Sequence, residues 1–66
     1  MIIENLDQLE QFAKNNPRLK GVIKRFKYHE RLDERIIALA SIIQALRRKN
    51  IQYSQQFLKE CFKLLR

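Results

Sequence analysis

From Leu6 to Leu65 the apolar residues recur three and four positions apart, the spacing of helices that each bury one face. The chain has one Gly, one Pro and no Thr, so an all-α bundle of three to four helices is predicted. The first helix follows Asn5 or Asp7, either of which can cap it with Gln8 or Glu10 three residues on. It carries Leu6, Leu9, Phe12 and Ala13 inward and stops at Asn15-Asn16-Pro17. Asn16 caps a second helix with Pro17 at its first position, where the missing N–H costs nothing. Leu19, Val22, Ile23 and Phe26 form its inward stripe.

That periodicity lapses over His29–Arg35, where Leu32 is the only apolar residue. A bend is expected there, with Asp33 capping the third helix; one uninterrupted helix over residues 17–49 is the alternative. Ile36, Ile37, Leu39, Ala40, Ile42, Ile43 and Leu46 spread over more than a third of a helical circumference. So broad an apolar arc belongs at the centre of a monomer or at a dimer interface. Arg47, Arg48 and Lys49 complement the negative end of this helix, and Asn50 suits a left-handed residue after it. Ser54 then caps a last helix that buries Phe57, Leu58, Cys61, Phe62 and Leu65.

Length limits what this pattern can support. Sixty-six residues make a single domain over residues 1–66, and so short a chain buries only about 60% of its unfolded surface. Cys61 is the only cysteine and His29 the only histidine, so neither a disulfide nor a four-ligand zinc site can add stability. Self-association can, and a homodimer is the expected assembly. No apolar run approaches the roughly 18 residues of a membrane span, and Met1-Ile-Ile-Glu lacks a secretory pattern. A cytoplasmic setting is expected.

Charge narrows the partners further. Fourteen Lys and Arg oppose seven Asp and Glu, a net charge of +7, which favours polyanions: nucleic acid or an acidic protein. The surplus is segmented, with −2 over residues 1–16, +5 over 17–29, −1 over 30–46 and +5 over 47–66. Folding can bring the two basic segments onto one face, or let the acidic first helix neutralise part of one.

Two constellations could carry function. On the second helix Gly21, Lys24, Arg25 and Tyr28 share the side away from the core stripe. Cations there can meet phosphates while Tyr28 stacks on a base, or Tyr28 packs against another helix within a solvated charged face. Phe26 belongs to the core. The second constellation runs from Asn50 to Phe62, where Asn50, Ile51, Ser54, Leu58 and Phe62 hold a turn and the helix after it. Their spacing resembles the turn and second helix of helix-turn-helix DNA-binding domains, placing such a pair within residues 36–66. The resemblance implies that Gln55, Gln56, Lys59 and Lys63 project outward, Gln toward adenine edges and Lys toward guanine or phosphate. An ordinary antiparallel helix pair with solvated lysines fits the same residues.

Enzymatic chemistry finds little support: no nucleophile stands beside a base, no glycine-rich phosphate loop occurs, and no cofactor is implied. Cys61 lies within an apolar arc and is expected to be a buried, inert thiol. The expected function is that of a small, non-enzymatic nucleic-acid-binding regulatory or accessory factor, with DNA favoured over RNA. Arg18, Lys20, Lys24, Arg25, Lys27, Arg47, Arg48, Lys49 and Lys63 are its phosphate contacts, and Gln55, Gln56, Lys59 and Tyr28 its base contacts. The alternative is a helical adaptor, inhibitor or antitoxin-like module docking on an acidic protein, with no small-molecule substrate. Membrane-surface binding by the basic helices ranks third.

Overall fold

A computed structural model describes all residues 1–66. Four helices form a small bundle: α1 (Leu6–Phe12), α2 (Pro17–Tyr28), α3 (Leu32–Arg48) and α4 (Gln55–Leu64). A 3₁₀ turn over Ala13–Asn15 prolongs α1. No helix is long and apolar enough to cross a membrane. Two short strands, β1 (Ile2–Ile3) and β2 (Gln52–Tyr53), pair in parallel with Ile2 opposite Gln52 and Ile3 opposite Tyr53. The sequence pattern did not announce these strands, because two residues are too few to show alternation. They clip the start of the chain to the α3–α4 connection, and the Ser54 N–H donates to Ile3 O at 2.9 Å.

Most helix boundaries have a local cause. Asn5 Oδ1 accepts the Gln8 N–H at 2.8 Å, and Gln8 Oε1 accepts the Glu4 N–H at 2.6 Å. A further free N–H of α1, that of Leu6, donates to Glu60 Oε1 of α4 at 3.0 Å. Asn16 caps α2 by accepting from Leu19 N, and Ser54 caps α4 by accepting from Phe57 N at 3.1 Å. Asn50 takes the left-handed conformation at φ 58°. The Asn50 N–H reaches Arg47 O and the Ile51 N–H reaches Leu46 O, the paired bonds that close a helix C-terminus in the Schellman arrangement.

The bend after α2 lies at His29–Arg31, so residues 17–49 form two helices. Asp33 does not cap α3. The helix starts at Leu32 with Arg31 in the cap position and no side-chain cap. Asp33 instead sits inside the first turn, where its carboxylate accepts the Glu34 N–H and both Nε and Nη2 of Arg31. A carboxylate there still meets the positive helix end.

Twelve residues form the core: Ile3, Leu9, Ala13, Leu19, Ile23, Phe26, Ala38, Leu39, Ile42, Leu46, Phe57 and Cys61. No polar or charged residue is buried with them. The helices α2 and α3 share the most extensive packing. The inward stripe of α3 is narrower than the apolar arc of its sequence, because Ala38, Leu39, Ile42 and Leu46 already fill the interior. Ile36 and Ile37 are left about half exposed, at 49% and 56%, and Ala40 faces solvent. Phe62 is likewise corrected from core to surface, at 54% exposure. Phe57 and Cys61, four residues apart, define the inward line of α4, and Phe62 is turned about 100° from Cys61.

Candidate nucleic-acid interface

Antiparallel packing of α2 on α3 brings the first turn of α2 beside the last turn of α3. The two basic segments therefore meet there. Arg18 of α2 and Arg48 and Lys49 of α3's end line one groove with Asn16, Ser41 and Gln44, over a floor that includes Leu19, Val22 and Ala45. No carboxylate lines it. Ser41 and Gln44 drew no attention in the sequence, although with Arg48 they fall at i, i+3 and i+7, a polar stripe crossing an apolar helix.

On the other flank of α2, Lys20, Lys24, Lys27 and Tyr28 share a second concavity with Glu10, Ala13, Pro17, Gly21 and Ile23. Tyr28, the last residue of α2, stands at 70% exposure. Lys27 alone among the candidate cations is in an ion pair. Its Nζ lies 2.9 Å from Glu10 Oε1, the partial neutralisation that an acidic first helix allowed. This bond is the main cause that raises the Lys27 pKa above its ordinary value.

The outward face of α4 forms a third patch. Gln56, Lys59, Lys63 and Arg66 line a shallow recess with Glu60 and Phe62, and Gln55 is exposed at the helix start. Arg47 lies apart from these, in a recess with Asn50, Ile51, Gln52 and Tyr53 of the α3–α4 connection. Arg25 is exposed on α2, seven residues after Arg18 and so on Arg18's side of the helix. The candidate phosphate contacts thus divide among several patches and make no single face. The α3–α4 connection keeps its left-handed Asn50 and its Ser54 cap. It spans residues 49–54 and pairs with β1, longer than the three or four residues of a helix-turn-helix turn.

Arg35, in the charged stretch after α2, is partly buried and bonds to two other helices. Its Nε donates to Phe26 O at 2.9 Å and its Nη2 to Leu64 O. Both carbonyls belong to final helical turns, which have no intrahelical donors, so one guanidinium caps α2 and α4 at once. The spacing of 9 and 29 residues to its partners left no local sequence signal.

Cys61 is buried, and desolvation is the main cause that pushes its thiol up to about 12, a setting for an unreactive sulfhydryl. No group of three or more His, Cys, Asp or Glu residues is placed to hold a metal ion. Comparison with protein-family models, with curated proteins and with solved structures found no match to this chain.

Proposed function

We propose that this chain is a small, non-enzymatic nucleic-acid-binding protein acting as a regulatory or accessory factor. The observation that carries this reading is the groove in which Arg18, Arg48 and Lys49 converge without a carboxylate among its lining residues. Cations with no internal partner keep their field for a ligand. Asn16, Ser41 and Gln44 add neutral hydrogen-bonding groups suited to phosphate and sugar oxygens. On the separate patch of α4, Lys63 adds a phosphate contact, and Gln55, Gln56 and Lys59 are the residues to read base edges. DNA is the first ligand to test.

Anisotropy titration of a labelled 20-mer at 50 and 200 mM salt tests the reading. Neutralising about six phosphates weakens binding by roughly 10³-fold over that range. A binding constant indifferent to salt would sink the proposal.

A second reading, docking on an acidic protein, rests on exposed apolar side chains: Leu32, Ile36 and Ile37 of α3, and Phe62 of α4 beside Lys59 and Lys63. The same surface could serve a homodimer. Light scattering at micromolar concentration decides between them, since a monomer leaves that surface open for a different partner.

A further inference from the structure

We infer that the strand this protein takes across α2 is unpaired, with one base stacked on Tyr28 and the adjoining phosphate on Lys24. This inference rests on the nucleic-acid reading above. It stands on the second concavity, of about 520 Å³, within the size range of small-ligand sites.

Three features of that concavity point to a stacked nucleotide. Tyr28 presents a largely exposed ring at the end of a helix, where a base can reach its face. The Lys27 ammonium lies over that ring, 5.3 Å from the centroid, and is itself tethered to Glu10. The cation backs one face of the ring and leaves the other for a ligand. Lys24 precedes Tyr28 by one helical turn, about 5–6 Å away at the Cβ atoms, the reach of a phosphate from its own base.

Gly21 supplies the room. It is exposed in the middle of α2, and a Cβ added there would meet no atom within 4 Å, so the fold's own packing does not require glycine at this position. Its missing side chain keeps the surface between Lys20, Lys24 and Tyr28 low enough for a sugar-phosphate chain to approach. A duplex cannot use this site as it stands, because its bases already stack on one another and would have to be flipped out. Single strands offer their base faces freely.

The test compares a 20-nucleotide mixed-sequence single strand, as DNA and as RNA, with a 20-base-pair DNA duplex by fluorescence anisotropy. The wild type is expected to prefer the single strands at least tenfold. Tyr28→Ala should weaken single-strand binding by roughly 5- to 100-fold and duplex binding less than twofold, while Tyr28→Phe retains wild-type affinity. Gly21→Leu should fold at least as stably as the wild type and still lose about tenfold in single-strand affinity. The chain has no Trp and two Tyr, so in a Tyr53→Phe background quenching of tyrosine fluorescence by the bound strand reports Tyr28 alone. Equal binding of strand and duplex, with no effect of Tyr28→Ala and no quenching, overturns the inference and leaves the nucleic-acid reading intact. Absence of binding to every probe at low salt overturns both.

Discussion

The two ends of the α2–α3 hairpin carry similar numbers of cations and treat them in opposite ways. At the bend, Arg31 forks onto Asp33, and Arg35 donates to the carbonyls of Phe26 and Leu64. Glu30, Asp33 and Glu34 stand close by in sequence. At the other end Arg18, Arg48 and Lys49 gather in a groove and none enters an ion pair. Counting Lys and Arg therefore does not map a polyanion footprint. What matters is which cations the fold has already used.

The comparison breaks most severely if Arg35 is removed. Arg35→Ala leaves two terminal carbonyls without their donor, and bonds to a charged group contribute about 1.5–3 kcal/mol each. A loss of about 3 kcal/mol is expected in urea unfolding. Arg35→Lys should recover only part of it, since an ammonium cannot reproduce the planar fork that reaches two separate helix ends. Wild-type stability in Arg35→Ala would show that the cations of the bend are as free as those of the groove.

At the groove end the same kind of substitution should spare stability and remove binding. The triple variant Arg18→Ala, Arg48→Ala, Lys49→Ala is expected to unfold within about 0.5 kcal/mol of the wild type, as exposed substitutions do. Its affinity for a nucleic-acid 20-mer should fall at least tenfold at low salt. The slope of log affinity against log salt should shrink by roughly 2 to 3, one unit or slightly less for each phosphate that the variant no longer neutralises. An unchanged slope would move the footprint off this groove.

The contrast between the ends also sets what could be read from the sequence. Asn5, Asn16, Pro17, Asn50 and Ser54 act within three or four residues of themselves, so the helix boundaries they set were legible, apart from the start of α3. That start escaped because the aspartate chosen as its cap is equally favourable within the first turn of a helix. Arg35 escaped because its partners lie on other helices. Phe62 escaped because apolar periodicity says which residues can be buried, and a 66-residue chain has too little interior for all of them. Convergence of the basic segments and partial neutralisation by α1 were both open from the sequence; the packing realises part of each, with Arg18 beside Arg48 and Lys27 paired to Glu10.

Asn50 offers a milder way to sharpen the comparison, because it holds the chain reversal that ends α3 beside the groove. Its φ of 58° disfavours a side chain that cannot bond locally, so Asn50→Ala should cost about 1 kcal/mol. Asn50→Gly should be near neutral or slightly stabilising. Equal midpoints for the alanine and glycine variants in urea would show that this backbone conformation is not held in solution.

The smallest effect belongs to Lys27, a cation on α2 that the fold uses only in part. Its pair with Glu10 is half open to water, with the carboxylate side chain at 42% exposure, and solvent screening limits it to about 0.5 kcal/mol. Glu10→Gln should therefore lower the urea midpoint slightly at pH 7, and less so in high salt. The Glu10 bond raises the Lys27 pKa above 10.5. From pH 7 up to about 10.5 the pair's contribution is thus complete, and it is lost as pH rises through the higher folded value. Cys61, pushed up to about 12, lowers stability in both proteins above pH 9 and cancels from their difference. That difference should stay constant from pH 7 to 10 and close above pH 10.5. A gap that persists at pH 12 would mean that Glu10 stabilises α1 through other partners, and Lys27 would then rank with the unpaired cations of the groove.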